Sequence, residues 1–475
     1  MIVTAALHYA LGVPRAETLA HHVDVLLTGT PGGDSWKPMA TASRFAAEQP
    51  GASIYEEVFF RRGMKFQYPP SALLFTSRLE RPALHLLSWL AVWITIIVSV
   101  YLFDGGLRES GYGPSGAIDA VLRLLIAAAL AATFYPLVKA YSLGQIQVWI
   151  DALFALLVVS WASWARRPAV SGVCLGLICL IKPQFALIGI WAVVRRQWRF
   201  AAAGAAVVLA GLSVSVAAYG LQSHLDYLRV LTFISERGET FYANQSFNGL
   251  LNRLLLNGPN LEWQETAFPP PHRLVQAGTT LAALVLVAAA WLGPRRESQA
   301  GLFDLAIVAL TATVVSPVAW EHHYGILLPL IAATAGEMLR RRVFGAYTAA
   351  ALMLAFGLTG QFFQPLQRFA ATPFNVLQSY VLFGALLLLA LWFQACRLAP
   401  SAIDSRQPQP SGQADENHVC QGRRQNCLLL DSKHRLTPEA TPAPSWRQST
   451  QWRTFRTTDH RGVGRVVCSP RIQCR

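Results

Sequence analysis

Charge is scarce in this sequence. Only 14% of its 475 residues are Asp, Glu, Lys or Arg, against 53% that are hydrophobic. A soluble globular chain carries about a quarter of its residues charged, so the deficit argues against a water-soluble domain. A cysteine framework is missing too. Cys174 and Cys179 lie within an apolar run and Cys396 ends another, while Cys420, Cys427, Cys468 and Cys474 fall in a polar tail. No CxxC and no zinc-ligand spacing occurs, which excludes a zinc module and a disulfide scaffold. No glycine-rich phosphate loop follows a strand, which removes a soluble nucleotide site. The net charge of +14 is not a nucleic-acid footprint, because thirteen basic and six acidic residues from Arg397 onward supply half of it.

What the chain has is apolar length. Runs near the roughly 20 residues needed to cross a hydrocarbon core recur along it. They are Leu84–Phe103, Ala117–Val138, Ile146–Trp164, Ala201–Leu221, Leu274–Leu292, Leu302–Val318, Tyr324–Met338, Val343–Gly360 and Phe374–Cys396. Val170–Val194 is also apolar but is interrupted by Lys182-Pro183. These runs predict an all-α, polytopic membrane bundle with external loops. Arg166-Arg167, Arg195-Arg196 with Arg199, Arg295-Arg296 and Arg340-Arg341-Arg342 mark the cytoplasmic side by the positive-inside rule. Proline breaks a helix, so Val170–Val194 reads as a re-entrant pair of half-helices, with a kinked full span as the alternative.

The orientation then divides the chain. Residues 1–30 form an atypical N-terminal segment, in which Ile2–Val13 is too short to span and lacks the basic flank of a signal peptide. Residues 31–396 form the membrane domain, with a first external loop at 31–82, a turn at Lys139–Gln145, a long external loop at 222–273 and a turn at Trp320–His323. The basic tail 397–475 is rich in Gln, Ser, Thr, Pro and Arg and is expected to be disordered and cytoplasmic.

Unusual polar groups collect on the external face. They are Gly33-Asp34-Ser35-Trp36, Lys65-Phe66-Gln67-Tyr68-Pro69-Pro70, the patch from Lys139 to Gln145 with Asp151 deeper, Asn244-Gln245-Ser246…Arg253, and Ser316-Pro317…Trp320-Glu321-His322-His323. Each has an ordinary structural explanation. Asp34 can cap the helix after Trp36, Tyr68-Pro-Pro can be an interfacial turn, and Arg253 can snorkel from an amphipathic helix. Glu321 can form a closed pair with a neighbouring histidine, and Asp151 can bond a neighbouring helix. Asn244-Gln-Ser is also a glycosylation sequon. Their convergence on one face favours chemistry. A carboxylate near the interface deprotonates a hydroxyl, and His or Arg stabilises a phosphate leaving group. An enzyme outside the cytosol has no nucleotide to draw on, and a donor carried on a lipid phosphate answers that need.

Tyr68-Pro-Pro, Gly144-Gln145, Gly176–Lys182-Pro183 with Arg195-Arg196, Asn244-Gln-Ser…Gly249-Leu-Leu and Ser316-Pro…Trp320-Glu-His-His together resemble glycosyltransferase family 87, over about residues 30–395. The resemblance implies a GT-C membrane bundle in a bacterial inner membrane, with its active face external. It also implies a polyprenyl-phosphate-hexose donor, typically of mannose, and inverting transfer to a lipid-linked or glycan acceptor. Asp34 stands where such enzymes keep the general base, in Asp34-Ser-Trp rather than an Asp with a closely spaced Tyr, and Glu321 stands where Asp is more usual. The implied site is catalytic Asp34, with Tyr68, Lys139, Gln145, Asn244, Gln245, Arg253, Glu321, His322 and His323 binding donor or acceptor. A single phosphate needs less charge compensation than a diphosphate, so neither metal nor cofactor is required. The expected partners are the lipid-linked donor, the acceptor and membrane lipids, without nucleic acid. A secondary transporter or lipid flippase is the alternative; it predicts broken helices in both halves with charges near the midplane. A non-catalytic membrane scaffold is a further rival.

Overall fold

The computed structural model describes residues 18–162, 167–293 and 301–398. The expectations placed on Arg166, Arg295-Arg296, residues 1–17 and the polar tail lie outside the described residues. Among the described residues all regular structure is helical, apart from one antiparallel bridge between Asn244 and Trp320. The helices of eight residues or more are α1 (Leu19–Thr28), α2 (Trp36–Glu48), α3 (Arg81–Glu109), α4 (Ala117–Ala132), α5 (Tyr135–Leu143), α6 (Gln147–Ala162), α7 (Pro168–Ile181) and α8 (Ala186–Val194). They continue as α9 (Trp198–Arg237), α10 (Phe247–Leu254), α11 (Arg273–Leu292), α12 (Leu302–Val314), α13 (Leu327–Arg340), α14 (Ala346–Gly360) and α15 (Tyr380–Leu398).

Four of these segments are long and apolar enough to cross a membrane alone: α3, α9, α11 and the stretch Pro373–Leu398 that ends in α15. The pair α4 and α5, bent by 51°, makes a fifth candidate, and α6, α7, α12 and α14 are shorter apolar helices. The exterior is apolar, as a lipid-facing surface must be. On α4, Ile118, Val121, Leu122, Leu125, Ile126 and Leu130 are all exposed. The protein is therefore a multi-pass helical membrane protein.

Small residues set the helix contacts, because van der Waals packing rather than hydrophobic burial holds helices together in lipid. A Cβ on Gly106 of α3 would lie 2.5 Å from the Cα of Gly336 on α13, so the two backbones touch. Indole Nε1 of Trp392 on α15 donates to Thr334 Oγ1 on α13 at 3.1 Å.

The helices depart from the apolar runs at three places. The run Ala117–Val138 breaks at Phe134, where Pro136 opens α5, and α5 runs on to Leu143. Lys139 thus sits inside a helix rather than in a turn. Proline is at home in a first helical turn, where its missing donor costs nothing. The second departure corrects the long loop at 222–273: α9 continues to Arg237 beyond a kink at Gly220 (φ 75°). Its second half rests on the first external loop through a face that carries Ser223, Asp226 and Tyr227, with Ser53 Oγ donating to Asp226 at 2.5 Å. The third is the Lys182-Pro183 break itself, where α7 ends at Ile181 and a short 3-10 turn, Pro183–Phe185, leads into α8.

Candidate active site

Asp34 does not cap α2. The N-cap of α2 is Ser35, whose side chain makes no cap hydrogen bond. Instead the backbone of 32–35 lies along the exit of α5: Gly32 N donates to Ser142 O at 2.8 Å, Asp34 N to Leu143 O at 3.0 Å and Ser35 N to Gly144 O at 3.2 Å. Gly144 makes this possible. It adopts the left-handed conformation (φ 72°), and a Cβ there would lie 2.3 Å from Gly32 O.

Ser35 Oγ then knits three sequence motifs together. It donates to Gln145 Oε1 at 2.8 Å, accepts from Ile146 N at 3.0 Å and lies 2.8 Å from the Tyr68 hydroxyl. Tyr68 is held in turn by Tyr55, whose hydroxyl donates to Tyr68 O at 2.6 Å, and burial pushes its own phenol up to about 12, so it stays protonated. Gln145 Nε2 reaches Asp34 Oδ2 at 3.4 Å. The Asp34 side chain is exposed at its tip, yet neighbouring protein desolvates it enough to hold its carboxyl above the usual range. Gln145, Lys37 and Lys139 pull the other way, and Glu265 adds to the rise.

The second group lies along the same helix. Lys139 Nζ pairs with Glu321 Oε2 at 2.7 Å, and the Tyr380 hydroxyl donates to Glu321 Oε1 at 2.9 Å. Glu321 is thus closed by a lysine and a tyrosine, not by the histidines beside it. His322 and His323 pack edge to face, with ring centroids 4.8 Å apart. His322 Nε2 and His323 Nδ1 are buried without a hydrogen-bond partner. Burial, then the positive charges of Lys182 and Lys139, hold His322 well below its ordinary range; burial, Lys182 and His322 do the same to His323. Both imidazoles are neutral at physiological pH.

Lys182, read from the sequence only as part of a helix break, joins the candidate site. Its Nζ donates to Gln147 Oε1 at 2.7 Å, and Gln147 Nε2 donates to Asp151 Oδ1 at 2.8 Å. Asp151 packs against Gly325, where a Cβ would sit 2.2 Å from Oδ2, and that oxygen has no hydrogen-bond partner. The polar chain therefore runs from the helix break to the foot of the His322-His323 turn. A lysine inside an apolar run is a functional candidate by default, and that was the signal available. Among the described residues, no three His, Cys, Asp or Glu side chains gather as a metal-holding group.

Asn244, Gln245 and Arg253 are placed differently, fully buried and turned inward. Asn244 Nδ2 donates to Glu239 O at 2.9 Å and Pro317 O at 3.1 Å, and its Oδ1 accepts from Ala319 N at 2.9 Å. Gln245 Nε2 donates to Tyr242 O at 2.8 Å and Gln378 O at 2.7 Å, and its Oε1 accepts from Val381 N at 3.2 Å. Ser246 caps α10 by accepting from Gly249 N at 3.1 Å and donates to Pro317 O at 3.0 Å. Arg253 does not snorkel: it donates to Asn244 O at 2.9 Å and Ser379 Oγ at 2.7 Å, and burial lowers its guanidinium to about 9. These residues hold the Ser316–Tyr324 segment in place. The sequon asparagine is likewise out of reach.

Carboxylate, imidazole and lysine groups gathered along one helix of a multi-pass bundle define a membrane protein built around a polar site. The chain belongs to glycosyltransferase family 87, whose family model matches residues 66–317, more than half of its length. It is 28% identical, over 60% of its length, to a polyprenol-phosphate-mannose-dependent α-(1-2)-phosphatidylinositol pentamannoside mannosyltransferase of Mycolicibacterium smegmatis, covering 65% of that protein. The protein of the same description from Mycobacterium tuberculosis is 26% identical over 56% of this chain, with 58% of that protein covered. A polyprenol-phosphate-mannose-dependent α-(1-2)-phosphatidylinositol mannoside mannosyltransferase of M. smegmatis is 26% identical over 64% of this chain and 71% of its own. The match therefore spans less than two thirds of the first two relatives.

Proposed function

We propose that this protein transfers mannose from a polyprenyl-phosphate donor to a lipid-linked or glycan acceptor, at the outer face of a bacterial inner membrane. The observation that carries the reading is the anchoring of Asp34 by Gln145, in register with Tyr68, beside the Lys139–Glu321 pair. Family membership supports the chemistry, and the relatives' dependence on polyprenol-phosphate mannose supports the donor.

In this mechanism the acceptor hydroxyl oxygen attacks the anomeric carbon of the donor. The new C–O bond forms as the bond from that carbon to the phosphate oxygen breaks, with inversion. The hydroxyl proton passes to Asp34, and polyprenyl phosphate leaves. A carboxylate held above its usual range is the stronger base, which suits this step. The departing charge is met by Lys182 and by N–H donation from His322 or His323. A neutral imidazole serves as a hydrogen-bond donor, so the two histidines act as dipoles beside the lysine rather than as cations. Glu321 keeps Lys139 directed at the site. Asn244, Gln245 and Arg253 act at one remove, by fixing the histidine turn.

The test is transfer of labelled mannose from polyprenyl-phosphate mannose by the purified, reconstituted protein. Wild type should turn over the donor with phosphatidylinositol mannosides or envelope glycans as acceptor. Transport of the lipid across liposomes without sugar transfer would instead establish the flippase alternative.

A further inference from the structure

We propose that Trp263 and Trp320, with the polar strip Glu262–Glu265, form a subsite for a sugar ring of the acceptor between the histidine turn and the first external loop. The proposal rests on the transferase reading above and adds where, and by what chemistry, the acceptor is held.

The loop between α10 and α11 is stapled at its base. Tyr242 N donates to Asn260 O at 2.8 Å, Asn260 Nδ2 to Ala370 O at 2.9 Å and Asn257 Nδ2 to Pro270 O at 2.9 Å. Between these staples Glu262, Trp263, Gln264 and Glu265 are all exposed. Trp263 is nevertheless fixed. Lys65 Nζ lies 3.8 Å from its ring centroid and is itself locked to Glu239 at 2.5 Å. Trp320 meets it edge to face at 5.0 Å and Phe241 stands at 6.0 Å, while 41% of Trp263 remains open. A rigid, half-open aromatic residue binds at little entropic cost.

Two contacts locate this strip at the site. Trp320 directly precedes Glu321 and bridges to Asn244 through the backbone. At the other end, Gly63 of the first external loop sits against Thr266, with a Cβ there 3.2 Å from the threonine Cβ. The strip therefore spans from the histidine turn to the first external loop, the loop that carries Asp34.

The chemistry selects a neutral saccharide. A sugar ring offers an apolar C–H face to an indole and hydroxyls to carboxylates and an amide. An anionic headgroup would meet two exposed carboxylates, Glu262 and Glu265, which repel it. An interfacial tryptophan serving only to sit among lipid headgroups would not call for that acidic strip.

The experiment uses the full chain in zwitterionic nanodiscs, with octyl mannoside as acceptor probe. In transfer assays with saturating polyprenyl-phosphate mannose, Trp263→Ala should raise the apparent KM for octyl mannoside on the order of tenfold. The KM for the donor should stay put, and Trp263→Phe should recover most of the loss. Tryptophan fluorescence of the donor-free protein should titrate with octyl mannoside and lose affinity in Trp263→Ala in parallel. An unchanged acceptor KM in Trp263→Ala, with wild type active, overturns the subsite and leaves the transferase reading standing. Weakened association with anionic vesicles at unchanged octyl mannoside affinity overturns it in favour of a headgroup contact. A wild type that transfers nothing from this donor sinks the transferase reading. The titration still decides the subsite in that case, since equal octyl mannoside affinity in both proteins would refute it.

Discussion

Two polar stretches of this protein look alike in sequence and behave differently in space. The segment around Asn244, Gln245 and Arg253 is buried, with most of its polar atoms bonded to other parts of the chain. The groups around Asp34, His322 and His323 keep polar atoms in reserve: an open carboxylate held by one long hydrogen bond, and two imidazole nitrogens without a partner. A buried polar group left unbonded costs about 1–3 kcal/mol, so the open imidazole nitrogens beside the proposed site are candidates for contact with substrate. In the proposed mechanism the largely satisfied stretch builds the site, and Asp34, His322 and His323 meet the substrate.

Removing a builder should cost the fold. Arg253→Ala strips hydrogen bonds from Asn244 O and Ser379, and a guanidinium bond of this kind contributes about 1.5–3 kcal/mol. We expect a markedly lower melting temperature and poor yield in detergent. Lysine should not rescue it, because one ammonium cannot serve the same forked set of acceptors. A stable, fully active Arg253→Ala protein would erase the distinction between the two stretches.

Misplacing the base should cost activity more than stability. Gly144→Val puts a side chain into a left-handed residue and against Gly32 O, and so undocks the loop that carries Asp34. Transfer should fall on the order of 100-fold, as displacements of about 1 Å do at reacting centres. The melting curve tells this apart from unfolding.

The groups proposed to meet the leaving phosphate should show a smaller kinetic loss. His322→Ala and Lys182→Met are each expected to slow transfer by about 10- to 100-fold with little change in acceptor KM, near the lower end for loss of one preorganised donor. If His322→Ala is as active as wild type, the histidine turn is architecture as well.

The subtlest effect is on pH. In the proposed mechanism the base works only when deprotonated, so activity should fall as pH drops through the pKa of Asp34. Desolvation raises that pKa, and the Gln145 hydrogen bond opposes the rise by favouring the carboxylate. In Gln145→Ala the acid limb of the kcat/KM profile should therefore move to higher pH. A limb that stays fixed would mean that another group sets it.

Much of this was legible in the sequence, for reasons of differing strength. Apolar length marked the helices, and short polar motifs marked Asp34, Tyr68, Gln145 and Glu321, because such groups are costly beside lipid. Direction was not legible. The sequence does not say that Arg253 points inward rather than snorkels; its inward set joins Phe241 O and Asn244 O, from just before α10, to the distant Ser379. Lys182 was masked by its neighbour, since Pro183 alone accounts for the helix break. The continuation of α9 beyond Gly220 was hidden because its second half packs on a loop more than 150 residues earlier, through Ser53 and Asp226. Tertiary partners decided each of these.

The most direct measurement compares wild type with Asp34→Asn, a nearly isosteric change, in reconstituted transfer of mannose from polyprenyl-phosphate mannose. The account predicts turnover by wild type, an unchanged melting curve in the variant and a loss of about 10²- to 10⁴-fold, the usual range for a general base. A folded Asp34→Asn protein that transfers at the wild-type rate would contradict it.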